Sequence, residues 1–194
     1  MKKGIIIGLL FTCIFASSAR VMTYNLLNYD DDNSRETYFI TIINFVNPNI
    51  IVAEEVQSQT GYSHFKSDVL DVANPNEWSG ATFTNQSASQ DIALYYQHDL
   101  FTFISTSTIN TAQSSGTRDV VEWVMMHNDS EIEFRIYGVH LKASSGDENA
   151  QQRLAETTIL RDYLNTLPAG SEFIVAGDFN IYSNSSSSEP AFNM

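Results

Sequence analysis

Six polar residues interrupt otherwise apolar stretches of this chain. Asn25 closes Val21–Asn25, and Glu55 stands near the end of Ile50–Val56. His140 and Lys142, two apart, end the run from Glu131; Asp178 and Asn180, again two apart, follow Phe173–Ala176. Residues two apart on an extended chain share a face, and polar groups at strand ends commonly build the site of an open α/β fold. The chemistry that fits this set is phosphoryl transfer assisted by a divalent metal. Glu55 and Asn25 offer hard oxygens suited to Mg²⁺ or Mn²⁺. Asp178 can orient or deprotonate a water. His140 and Asn180 can hydrogen-bond phosphate oxygens as charge builds on them. Taken singly, each has an ordinary explanation: turn chemistry for Asp178 and Asn180, a solvated strand end for Glu55, a satisfied core imidazole for His140.

The elements that must position these residues follow from periodicity. Val21–Asn25, Ile50–Val56, Asp91–Tyr96, Phe101–Ile109, Arg118–His127, Glu131–Leu141 and Phe173–Ala176 read as strands, with Ile50–Val56 and Phe173–Ala176 buried on both faces. Asn128-Asp129-Ser130 is a turn, which makes the flanking strands a hairpin. Ser34–Val46 is predicted helical, capped by Asn33 or Ser34, with Tyr38, Ile42, Phe45 and Val46 as its inward stripe. Gly61–Val72 is a second helix. Asp147–Leu167 is a third, with Leu154, Thr158, Leu160, Leu164 and Leu167 as its apolar face. Strands between flanking helices predict an α/β fold with two sheets and helices outside.

The first 19 residues stand apart. Lys2 and Lys3 precede the apolar run Gly4–Phe15, and Ser17-Ser18-Ala19 supplies small residues for cleavage. That order predicts a signal peptide (1–19), a mature domain over 20–194, and a secreted or periplasmic location. Cys13, the single cysteine, lies inside the signal, so the mature chain is expected to have neither a disulfide nor a thiolate site. With Lys2 and Lys3 removed, the 10 basic residues fall to 8 against 23 acidic, moving the net charge from −13 to −15. That excludes a broad electrostatic grip on DNA or anionic membranes. It leaves phosphodiester hydrolysis open, because a bound cation supplies positive charge locally. His64, His98 and His127 share no metal-ligand spacing, and Asp30-Asp31-Asp32 lacks the glycine and closing glutamate of an EF-hand. Tyr95, Tyr96, Phe101 and Phe103 are expected in the core.

The same residues carry a resemblance. Met22-Thr23-Tyr24-Asn25-Leu26-Leu27-Asn28, Ile50–Val56, Tyr137-Gly138-Val139-His140-Leu141-Lys142 and Val175-Ala176-Gly177-Asp178-Phe179-Asn180 resemble four successive motifs of the endonuclease/exonuclease/phosphatase (DNase I-like) family. The resemblance implies a four-layer α/β/β/α sandwich, incomplete at its C-terminus, and metal-dependent hydrolysis with Mg²⁺ (or Mn²⁺ or Ca²⁺). It implies Asn25 and Glu55 as metal ligands, and His140, Asp178 and Asn180 as catalytic groups. Asn180 and Arg118 would contact substrate phosphate. Glu54 stands where the family commonly has glutamine, and is expected to add negative charge beside the ligand. The family's closing serine-aspartate-histidine motif does not occur before Met194. The expectation is therefore a C-terminally truncated domain. The expected partner is nucleic acid or another phosphodiester, met by a monomer with no stable membrane anchor. The leading reading is a secreted endonuclease. The alternatives are a sphingomyelinase-like lipid phosphodiesterase, or a catalytically incomplete fragment or pseudoenzyme.

Overall fold

A computed structural model describes residues 18–31, 34–86, 89–114, 116–185 and 187–194. The signal segment, apart from Ser18 and Ala19, and the cap residue Asn33 lie outside the described residues. Among the described residues, eight strands form two four-stranded sheets. β1 (Val21–Tyr29), β2 (Ile50–Val56), β3 (Trp78–Gly80) and β4 (Asp91–Gln97) order as β1-β2-β4-β3. β5 (Phe101–Ile109), β6 (Val120–His127), β7 (Ile132–His140) and β8 (Phe173–Asp178) order as β5-β6-β7-β8. β1 and β2 run parallel, connected through α1 (Glu36–Val46); β7 and β8 run parallel, connected through α4 (Asp147–Leu164). Between β2 and β3, α2 (Gln59–His64) passes through a π-helical segment (Phe65–Leu70) into a last turn, α3 (Asp71–Ala73).

Three apolar clusters define four layers. The sheets meet face to face over Ile50, Val52, Ile92, Leu94, Val121, Trp123 and Ile136. Outside the first sheet, Phe39 and Ile43 of α1 and Phe65, Val69 and Leu70 cover Tyr29, Ile51 and Tyr95. Outside the second, Leu160 and Leu164 of α4 cover Val120, Tyr137 and Val139. Tyr95 and Phe101 are in the core as expected, with Tyr96 at its margin and Phe103 partly buried against it. This is the α/β/β/α sandwich that the sequence predicts.

The structure corrects several local expectations. Helix α1 turns Phe39 and Ile43 inward, leaving Tyr38 and Phe45 70% and 89% exposed. Its sequence is apolar on two sides at three-to-four spacing. The edge-on aromatic contacts of Phe39 with Tyr24, Tyr29 and Phe65 select the other side from the one expected. Its N-terminal residue Arg35 makes no side-chain cap. The buried face of α4 contains Arg153 and Glu156 rather than Leu154, because each polar group has a partner there: Glu189 for Arg153, the Lys142 N–H for Glu156. β8 is an edge strand with Phe173 and Ile174 40% and 37% exposed, not a strand buried on both faces. Strand β3 has too short a pattern to be read from sequence. β1 runs to Tyr29, four residues beyond the predicted end.

Asp91, first residue of β4, is wholly buried. Its Oδ1 accepts the Gln86 N–H at 3.2 Å, and Oδ2 has no partner among the described residues. Burial pushes its carboxyl up from 3.8 to about 6, against the lowering effects of that N–H and of Arg118. The folded state therefore binds this proton more tightly than the unfolded chain. Below pH ~4 both states are protonated and there is no cost. The cost grows as pH rises from ~4 to ~6 and is complete above, on the order of 2–3 kcal/mol. Replacing Asp91→Asn should make the variant progressively more stable relative to the parent as pH rises from 4 to 7 in urea unfolding. A stability difference that does not change with pH would contradict this.

Candidate active site

The strand pairing opens where the candidate residues lie. The β1–β2 register shifts between Asn25 and Tyr29, and the β2–β4 register shifts between Ala53 and Val56. Irregularities of this kind re-aim side chains at strand ends. Leu27, Asn28, Glu55, Gln90 and Asn180 all have positive φ, between 49° and 73°. Such conformations persist only where the surroundings hold them, and they gather at functional sites.

Asn25 is the meeting point. Its Nδ2 donates to Glu55 Oε1 at 3.0 Å and to Asp178 Oδ2 at 3.3 Å, while Oδ1 accepts the Leu27 N–H at 2.9 Å. One amide thus joins carboxylates from two different sheets. The other Glu55 oxygen accepts the Asn28 N–H at 3.0 Å and Gln90 Nε2 at 3.4 Å. His140 is 4% exposed, with Nε2 4.0 Å from Glu55 Oε1 and a buried Nδ1 that has no partner among the described residues. Burial, aided by Arg118 and opposed by Asp178 and Glu55, lowers its pKa from 6.5 to about 4, so the imidazole is neutral at pH 7. Asp178 Oδ1 accepts the Asn180 N–H at 2.9 Å, and Asn180 Nδ2 donates to the Leu141 carbonyl at 3.0 Å.

Arg118 lies just before β6 and is 7% exposed. It donates to the His140 carbonyl at 3.2 Å and to Gln90 Oε1 at 2.8 Å. It therefore joins the cluster from behind, as a fixed positive charge. All six expected site residues, Asn25, Glu55, Arg118, His140, Asp178 and Asn180, converge on one end of the sandwich. Lys142 does not join them: its Nζ donates to the Ala143 carbonyl at 3.1 Å. Sequence reasoning missed Gln90, which bridges Glu55, Asn28 and Arg118. A lone glutamine in a polar loop before a strand gives no signal of such a role. Tyr182, whose hydroxyl contacts Asn180 Oδ1 at 3.4 Å and accepts the Ser144 N–H at 3.0 Å, was missed for the same reason.

Glu54 departs from expectation. It is 1% exposed, and burial, followed by the nearby Asp178 charge, pushes its carboxyl up to about 8. At neutral pH it keeps its proton, so the extra negative charge expected beside Glu55 does not develop.

The donor set suits a hard divalent ion. Two carboxylates and an amide face one spot, and turning the Asn25 amide would present Oδ1 in place of Nδ2. Among the described residues no group of three or more His, Cys, Asp or Glu is arranged closely enough to hold a metal ion by itself. No described helix is long and apolar enough to cross a membrane.

No protein-family model matches the chain, and no curated protein matches it. Solved structures do. D. rerio TDP2 complexed with single-strand DNA product aligns with 90% of this chain and 65% of its own, with TM-score 0.67 and 11% identity. The human nocturnin catalytic domain with a bound sulfate anion aligns with 88% of this chain and 66% of its own, with TM-score 0.66 and 23% identity. An endonuclease/exonuclease/phosphatase family protein from Bacteroides thetaiotaomicron aligns with 91% of this chain and 68% of its own, with TM-score 0.64 and 17% identity. The chain shares the α/β/β/α fold of these structures. The chain spans 65% and 66% of the length of the first two structures.

Gly177 sets how closely β8 approaches β7. Its φ is +138°, and a Cβ there would overlap the Val139 carbonyl. This contact brings Asp178 into register with His140. Gly170, at φ +84°, has open space around it. Both substitutions to alanine strain the backbone, by roughly 1 kcal/mol. Gly177→Ala should cost clearly more than Gly170→Ala in urea unfolding, because it adds the clash. Equal losses would show that the close approach is not needed.

Proposed function

We propose that this chain is an exported, divalent-metal-dependent phosphodiester hydrolase that cuts nucleic acid internally. The observation that carries the reading is the convergence of Glu55 and Asp178, from separate sheets, on the Asn25 amide beside a buried neutral His140. Two similar structures lend support: one holds a single-strand DNA product, the other a sulfate, an anion with the shape of phosphate.

Mg²⁺, or Mn²⁺ or Ca²⁺, held by Glu55 with the Asn25 amide turned toward it, would supply positive charge against the oxygens of the scissile phosphate. Asp178 keeps one oxygen on the Asn180 backbone N–H, and turning the Asn25 amide frees the other oxygen as the acceptor for a water proton. That water attacks phosphorus in line, and the bond to the leaving oxygen breaks. The Asn180 amide has a second hydrogen beyond the one given to Leu141, available to a phosphoryl oxygen. His140, being neutral, acts as a hydrogen-bonding group rather than as a cation. Arg118 adds a fixed charge from behind while its guanidinium holds Gln90 and the His140 backbone in place.

A second reading, a domain that binds phosphoesters without turning them over, is favoured by the sparse set of potential metal ligands among the described residues. A screen of the full chain against plasmid DNA, RNA and sphingomyelin vesicles, with Mg²⁺ and with EDTA, separates the readings. We expect Mg²⁺-dependent nicking of DNA or RNA, lost on adding EDTA. Asp178→Ala and Glu55→Ala should each lower the rate by about 100-fold or more while the chain stays folded by circular dichroism. Unchanged rates in both variants would remove these residues from the mechanism. Absence of hydrolysis with retained phosphate binding would select the second reading. The export reading predicts that protein recovered outside the cell begins at Arg20; recovery with Met1 intact would refute it.

A further inference from the structure

Every described cationic side chain is already committed within the chain. Lys66, Arg135 and Arg153 are held in ion pairs with Asp71, Glu122 and Glu133, and Glu189. Arg20 and Arg161 hold backbone carbonyls of Val46 and Met194, away from the site. Arg35 holds the carbonyls of Leu26 and Leu27 at 2.9 and 2.8 Å and so fixes the end of β1. That leaves the buried Arg118 and Lys142 at the site end, the latter bonded to its neighbour's carbonyl. Against 23 acidic residues, this surface offers no basic track for a polyanion.

Beside the site, two large side chains stand out toward solvent among small polar ones. Leu27 is 66% exposed although it sits at φ 50°, a conformation rare for a bulky side chain, and its N–H is tied to Asn25. Tyr182 is 53% exposed, yet its ring is held 5.1 Å from the Arg153 guanidinium and its hydroxyl is bonded to Asn180 and Ser144. Leu27 is tied to the site through its backbone and Tyr182 through its hydroxyl, and both residues are exposed to solvent.

We propose that the site grips its substrate through a single phosphate, and that Leu27 and Tyr182 receive the uncharged organic groups on either side of it. The substrate class is a compact phosphodiester flanked by neutral apolar or aromatic groups, such as nucleosides. Nucleic acid is then cut one isolated linkage at a time, with little recognition of neighbouring phosphates. The inference rests on the phosphodiesterase reading and narrows it.

The test compares a dinucleoside monophosphate with a single-stranded 20-mer, using the full chain with Mg²⁺ across a range of NaCl. We expect kcat/KM per linkage to agree within about tenfold, with a log–log salt slope shallower than about −2, since each phosphate contact on a single strand contributes roughly −0.7. A larger preference for the 20-mer, or a steeper slope, would overturn the inference. Leu27→Asn, which tolerates positive φ, should raise KM for the dinucleoside several-fold with kcat unchanged; an unaltered KM would remove Leu27 from the rim. Calorimetric titration with phosphorothioate-linked versions of both molecules reads affinity without turnover. Similar affinities in the absence of hydrolysis would sustain the single-phosphate grip while sinking the hydrolase reading. Much tighter binding of the 20-mer would sink the grip itself.

Discussion

Glu55 and Asp178 reach the same point from two different sheets, and a single amide hydrogen-bonds both. Carboxylates brought together in this way repel each other unless donors or cations hold them. The donors here are Asn25, the Asn28 and Asn180 backbone N–H groups, and Gln90. The nearest fixed cation is Arg118, buried behind the His140 backbone. The arrangement can persist only because the sheets cannot slide apart. Trp123, Ile136, Leu94 and Val52 fill the space between them, and close-packed interiors transmit such constraints rigidly.

The strain follows from the same requirement. Glu55 leaves β2 in a left-handed conformation, Leu27 and Asn28 do so from β1, and Asn180 does so after β8. Regular pairing would continue these strands past the point where the side chains must turn inward. The register shifts at Asn25 and near Glu55 are the places where ladder hydrogen bonds are given up so that carboxylate and amide can meet. On the opposite side, Gly177 lets β8 press against the Val139 carbonyl, which keeps Asp178 beside His140.

Positive charge is scarce in this chain, and much of it is internal. Arg153 is wholly buried, doubly bonded to Glu189, and also holds the carbonyls of Lys142 and Ser144. Through the Tyr182 ring and the Ser144 N–H it braces the loop beside Asn180. The two buried arginines thus organise the backbone around the site from within, and the outer surface is left strongly acidic. A bound cation is the natural complement to such a site, because it brings positive charge only where the phosphate must lie.

The order of the longer strands and helices and the hairpin at Asn128–Ser130 were legible in the residues themselves, as was the gathering of Asn25, Glu55, His140, Asp178 and Asn180 at one end of the sandwich. Apolar runs with a polar residue at the end suggest a strand packed on the core whose last side chain serves another purpose, although how deeply each strand is buried is not readable from the run. The inward face of α1 was not legible, because Tyr38 and Phe45 carry the same spacing as Phe39 and Ile43, and only the aromatic surface beneath decides between them. Nor could sequence foresee that α4 buries Arg153 and Glu156, since their partners lie far along the chain or on a backbone N–H. Gln90 and the protonated state of Glu54 are likewise products of the assembled fold. Local pattern fixes what a segment buries on average. Which neighbour each polar atom finds, and so what charge it carries, is settled only when distant segments close on one another and exclude water.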